Sequence, residues 1–163
     1  MKIRWFGHSS FLFEDSKGRK LLTDPFDETV GYKVFEGDVD VVTISHNHFD
    51  HCYTEKINCK HIINKIGSFN LCDIPIYGIP SYHDKVKGAK RGENVIFIIE
   101  MDDYRICHLG DVGYVLSPEE IKSLGFEFTT FLSAVSLPLK SGIKISTVIF
   151  LLIFLISSTT LAK

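Results

Sequence analysis

The features this 163-residue sequence lacks narrow its function first. Its four cysteines, Cys52, Cys59, Cys72 and Cys107, form no Cys-x-x-Cys pair, so neither a zinc knuckle nor a thioredoxin-like redox site is supported, and free thiols are expected. There is no excess of positive charge. The 18 Lys and Arg against 20 Asp and Glu give a net charge of −2, too little basic field to hold a polyphosphate chain, so nucleic acid is not an expected partner. No apolar leader stands at Met1–His8, so export is not indicated and a cytoplasmic location is expected. Ser9 and Ser10 are not set in a Gly-x-Ser-x-Gly frame, which weighs against a serine nucleophile. After Glu127 there is no acidic side chain, and after His108 no histidine.

Of the residues present, 45% are apolar and 12% aromatic, which suits one globular domain with a sizeable core. The charge break at Glu127 divides the chain into a core, residues 1–128, and a divergent apolar tail, residues 129–163. The tail contains nine uninterrupted apolar residues, Val148–Ile156, fewer than the ~20 a membrane helix needs. Three readings stay open for it: a buried strand or helix, membrane contact through residues 145–162, or a non-native end of a truncated or frame-shifted gene.

Short apolar segments at 2–6 and 10–14 read as paired strands, and Lys20–Thr23 as a third. Residues 27–38 read as mostly loop. Val39–Ser45 is a nearly continuous apolar run suited to a strand buried on both faces. The isoleucines of Thr54–Gly67 weakly suit a helix. Ile74–Ile79 reads as a strand, Asp84–Gly92 as a loop, and Val95–Glu100 with Tyr104–Leu109 as a hairpin. Ser117-Pro118-Glu119-Glu120 is a helix start with a capping box, and Gly125 a stop. Strands with intervening helices predict an α/β protein whose sheets are covered by helices.

The chemistry concentrates in His46-Asn47-His48-Phe49-Asp50-His51, directly after the buried run. Four of these six residues can bind a metal, and a looping backbone lets His46 and His48 point to one place and Asp50 with His51 to a neighbouring one. That suits two cations about 3.5–4 Å apart. Two ions need more donors, and His83 and Asp111 each stand where a loop leaves a strand. Asp111 is a carboxylate able to bridge, and Gly110 and Gly113 let the backbone turn beside it. His8 beside Gly7 and Asp24 before Pro25 can equally be turn residues. His61 reads as a surface residue of the expected helix, Trp5 as core, and His108 as ambiguous, since strand alternation would turn it away from Asp111.

The motif at His46–His51 resembles the His-x-His-x-Asp-His signature of the metallo-β-lactamase fold superfamily. More narrowly, IRWFGHSSF at Ile3–Phe11, LLTDPF at Leu21–Phe26, VVTISHNHFDH at Val41–His51, GAKRGEN at Gly88–Asn94 and HLGDVG at His108–Gly113 resemble small metal-dependent hydrolases related to the ascorbate-phosphate lactonase. The likeness covers residues 1 to about 127. It implies an αββα sandwich, incomplete at the C-terminus. It also implies that His46, His48 and His83 bind a first metal and Asp50 and His51 a second, with Asp111 between them and His8 and Asp24 beside the site. One or two divalent ions are expected, Zn2+ first and Mn2+ or Fe2+ as alternatives.

The implied activity is attack by a metal-bound hydroxide on an ester, lactone or phosphoester-type small-molecule substrate, with Asp50 orienting the nucleophile. Members of this superfamily usually carry a further histidine near the C-terminus, which this sequence does not show. A neighbouring copy in a homo-oligomer could supply it. A catalytically weak metal-binding fragment and a membrane-associated, non-catalytic module are the alternatives to the hydrolase.

Overall fold

The computed structural model describes residues 1–126 and the strand Leu151–Leu155. The fold is α/β: two five-stranded sheets packed face to face with a helix on the outside. The first sheet contains β1 (Lys2–Gly7), β2 (Ser10–Glu14), β3 (Lys20–Thr23), β4 (Gly37–Thr43) and β5 (Ile57–Ile63), in that spatial order. β1 to β3 pair antiparallel, while β3, β4 and β5 run parallel. The second sheet contains β6 (Gly67–Leu71), β7 (Ile74–Tyr82), β8 (Glu93–Met101), β9 (Tyr104–His108) and β10 (Leu151–Leu155), all antiparallel.

The sandwich core follows from period-two patterning. Phe11, Phe13, Leu21, Val41 and Ile63 of the first sheet meet Ile74, Ile76, Phe97, Ile99 and Ile106 of the second. β8 is apolar on both faces because its other face, Ile96 and Ile98, lies under Leu116, Ile121, Leu124 and Phe126. Ile121 belongs to α1 (Pro118–Ser123), which starts with the expected capping box: the Ser117 side chain accepts from Glu120 N and the Glu120 carboxylate accepts from Ser117 N. It is the one α-helix among the described residues, so helical cover is sparser than the sequence suggests.

One expected element changes class. Residues 54–67 form no helix. Ile57–Ile63 is β5, in parallel register with β4 from Gly37↔Ile57 to Thr43↔Ile63. The β-branched isoleucines suit a strand better than a helix, and the open edge of β4 supplies the partner. Gly67 opens β6, a strand not anticipated, instead of ending a helix. Trp5 is also not core, being 52% exposed, and His61 is exposed as expected but on a strand.

The C-terminal readings divide. Leu151–Leu155 is a strand on the edge of β9, from Leu151↔His108 to Leu155↔Tyr104. The 128/129 boundary and the remainder of residues 145–162 lie outside the described residues. Among the described residues no helix is long and apolar enough to cross a membrane.

Topology brings the strand ends together. The parallel pairing Thr23↔Thr43 places Asp24 and Ser45 side by side where β3 and β4 end. In the other sheet β7 and β9 end at the margin where β8 begins, as Tyr82↔Glu93 and Phe97↔His108 show. Val95 N donates to Ser45 O at 2.8 Å and joins the two margins.

Candidate metal centre

Every chemistry-bearing loop leaves a strand at this shared margin. His46, His48, Asp50 and His51 follow β4, His83 follows β7, and Asp111 follows β9. His46, His48 and His83 offer nitrogens within 4.8 Å of one another. A second group is His8, Asp50 and His51, and a third, His46, His51 and Asp111, links the two. Asp111 Oδ2 lies 3.0 Å from His83 Nε2 and 3.4 Å from His51 Nε2, between the first and second groups. The clustering of His46, His48, His83, Asp50, His51 and Asp111 is thus a property of the fold as well as of the motif.

The donors sit on a rigid base. Asp24, fully buried, binds four groups. Its Oδ1 accepts from Ser45 N at 2.7 Å, and its Oδ2 takes Ser45 Oγ at 2.7 Å, His51 Nδ1 at 2.9 Å and His108 Nε2 at 2.8 Å. An ionised carboxylate only accepts, so His51 carries its proton on Nδ1 and turns Nε2 into the cluster. Asp24 thus fixes the orientation of the His51 ring, a larger part than that of an Asx-turn residue. His8 reaches Asp50 Oδ2 at 2.8 Å, which puts it in contact with the cluster and not merely in a turn. His8 and Asp24 both have left-handed backbones, φ 47° and 37°, a conformation held here by the surrounding bonds.

His108 was the ambiguous residue. It crosses from the second sheet to Asp24 in the first, so it supports the centre from below while Asp111, beyond the turn, reaches the cluster. Asn94 was not singled out. It is buried, donates to Ser81 Oγ at 2.7 Å and to Leu109 O at 2.9 Å, and accepts from Asp111 N at 3.0 Å, fixing the loop that carries Asp111. Its signals in the sequence are its place at the end of the GAKRGEN segment and, after Glu93, at the polar start of an otherwise apolar strand. Gly110 has φ 56°, and a Cβ there would meet Asn94 Oδ1 and Ser45 Cβ at 2.5 Å. At Gly113 a Cβ would overlap the backbone of His83. Both glycines let the Asp111 loop lie against the His83 and Ser45 segments.

Electrostatics follow the geometry. Burial opposes charge on Asp24, yet His108 and then His51 hold its carboxyl well below the usual range. Burial also opposes ionisation of Asp111, but His51, with help from His46 and His83, draws it down to about 2. Burial, reinforced by His51, lowers His46 to about 4, so its ring is neutral and able to ligate at neutral pH. His51 goes the other way. Burial disfavours its charge, but Asp111 and Asp24 raise it to about 10.

A divalent cation fits this donor set. His51 Nε2 is buried without a hydrogen-bond partner. His51 Nε2 faces Asp111 and, at 3.9 Å, Asp50. A cation there would replace the proton that His51 otherwise holds for two carboxylates. The four cysteines are free thiols, and none belongs to a donor group.

Several known proteins are similar to this chain. The sequence profile described as a beta-lactamase superfamily domain matches residues 2–129. The UPF0173 metal-dependent hydrolase of Archaeoglobus fulgidus is 28% identical over 157 residues, covering 76% of this chain and 67% of its own. The one from Pyrobaculum neutrophilum is 30% identical over 156 residues, with the same coverage of 76% and 67%. Among solved structures, a candidate Zn-dependent hydrolase of the metallo-β-lactamase superfamily from Thermotoga maritima superposes with a TM-score of 0.59 at 32% identity, covering 75% of this chain and 55% of that one. The chain thus spans about two thirds of the length of these curated relatives and 55% of the solved structure.

Proposed function

We propose that this chain, which belongs to the beta-lactamase superfamily, is a hydrolase of ester, lactone or phosphoester bonds in a small molecule. The observation that carries the reading is the position of Asp111 between two donor groups that share one margin of the sandwich. His46, His48 and His83 would hold one divalent ion, Asp50 and His51 the other, and Asp111 would serve both. Zinc suits the histidine-rich donor set, and manganese or iron(II) are accepted by the same ligand types. Such ions acidify water and polarise the carbonyl or phosphoryl oxygen under attack.

The chain's own residues do the positioning. Asp50 stays ionised because His8, against the cost of burial, stabilises its charge, so His8 Nε2 donates to Asp50 Oδ2. Asp50 thereby keeps an acceptor oxygen at the cluster, where it can orient an attacking water and take its proton. Asp24 fixes the ring of His51, and His108 and Ser45 fix Asp24.

The likeness to the ascorbate-phosphate lactonase branch, the cytoplasmic location and the tail beyond residue 128 as an addition to the core belong to this same reading. A second reading keeps the metal and loses the turnover: the 163 residues hold no histidine after His108. One assay separates the two. Hydrolysis of 4-nitrophenyl acetate or bis(4-nitrophenyl) phosphate should require added Zn2+ or Mn2+ and vanish in His48→Ala. Metal uptake with no turnover of either ester would favour the weak fragment.

A further inference from the structure

We propose that the substrate carries an anionic oxygen group, a phosphate or a carboxylate, and that Arg91 receives it beside the metal centre. The inference rests on the hydrolase reading for its substrate, and on the following geometry for its site. A cavity of about 330 Å³ opens next to the first donor group. Its lining includes His46 and His48 together with Asn47, Asn64, Arg91 and Glu93.

Arg91 is exposed, and its guanidinium has no hydrogen bond or ion pair among the described residues. The side chain is free, but its attachment is firm. The Asp84 carboxylate accepts four backbone N–H groups, from Val86, Gly88, Lys90 and Arg91, at 2.8–2.9 Å. Gly92 O accepts from His83 N at 3.1 Å, so one closed loop carries the histidine at its start and the arginine at its end. The backbone of residue 91 is thereby held close in the chain to the bond that fixes His83.

A guanidinium fork matches a carboxylate or phosphate through two parallel hydrogen bonds. Asn47 and Asn64, exposed amides with no hydrogen bond among the described residues, add neutral donors on the same wall. Lys85, Lys87 and Lys90 stand on the same loop and, with Arg91, outnumber its acidic Asp84, whereas Glu93 lines the cavity, opposes an anion and sets a limit on its affinity. A substrate held by its anion at Arg91 reaches His46 and His48 with its other end, since both line the same cavity.

The test uses the full chain and two substitutions, Arg91→Met and Glu93→Gln. Residue 91 anchors its loop through its backbone N–H, which methionine retains. Inorganic phosphate and acetate are titrated separately into metal-free and Zn2+-loaded protein while the Arg91 Nε and the Asn47 and Asn64 amide signals are followed by NMR. Saturable shifts are expected. Phosphate affinity should fall about tenfold in Arg91→Met and rise in Glu93→Gln. Tighter phosphate than acetate identifies a phosphorylated substrate, and the reverse a carboxylate. Equal phosphate affinity in Arg91→Met and the parent chain overturns the proposal. In turnover, the preference for 4-nitrophenyl hydrogen succinate over neutral 4-nitrophenyl acetate should drop about tenfold in Arg91→Met through KM. If neither ester is cleaved, the hydrolase reading fails while the phosphate titration still decides the role of Arg91.

Discussion

At the scale of single residues, the centre depends on two buried groups, Asp24 and His51. Asp24 binds Ser45, His51 and His108 at once. Asp24→Asn keeps the shape but replaces one charged acceptor oxygen with a donor. It should weaken binding of the second metal ion 10–100-fold, measured by competition with a chelator. Asp24→Ala strands two buried imidazoles and should cost about 3–5 kcal/mol in denaturant unfolding. A change below 1 kcal/mol would contradict the four-bond arrangement.

His51 makes a second, pH-dependent prediction. Folding raises its pKa from the ordinary 6.5 to about 10, because Asp111 and Asp24 outweigh the cost of burial. Its contribution to the stability of metal-free protein is therefore complete below pH 6.5 and lost as the pH climbs towards 10. The melting temperature of chelator-treated protein should fall across that window, and the fall should disappear in His51→Gln. Because the ion displaces this proton, loading at pH 7–8 should release about one proton per second-site ion, readable by calorimetry in buffers of differing ionisation enthalpy.

At the scale of elements, loops are placed by strands, and strands were the more legible part of the sequence. The apolar runs at 39–45, 74–79 and 95–100 mark buried strands because little else makes so many β-branched residues consecutive. Ser117-Pro118-Glu119-Glu120 marks the helix start because its capping chemistry is local. Ile57–Ile63 was misread because a half-exposed strand with scattered isoleucines has no clean period, and only the parallel edge of β4 decides its state. His108 and Asn94 were not legible as supports, since their partners, Asp24 and Asp111 N, become neighbours only when the two sheets meet.

Two predictions belong here. Gly113→Ala drives a methyl group into the backbone of His83. It should reduce occupancy of the first metal site while far-ultraviolet circular dichroism keeps its strand signal. The pairing of β10 with β9 should protect the β9 amides that face it from hydrogen exchange in the full chain. Fast exchange at those amides, with β8 protected, would rule that pairing out.

At the scale of the whole molecule, the candidate donors of both sheets meet only when the sandwich is closed, so metal bound there would be coupled to folding. The donor residues themselves were visible before the fold, because four ligand-type side chains within six positions leave little room for another reading. What the fold adds is which of them lie within reach of one another, with Asp111 placed between the groups. The same closure accounts for the candidate donors gathering at this margin: β3 and β4 end there in parallel, and β7 and β9 end opposite them.

The most direct test of a two-ion centre is metal content per chain, by elemental analysis of protein purified without chelator and supplied with Zn2+. The account predicts a ratio near two, falling to near one in His51→Ala, where the first donor group survives. A ratio near zero in the parent chain, or a ratio unchanged by His51→Ala, would contradict it.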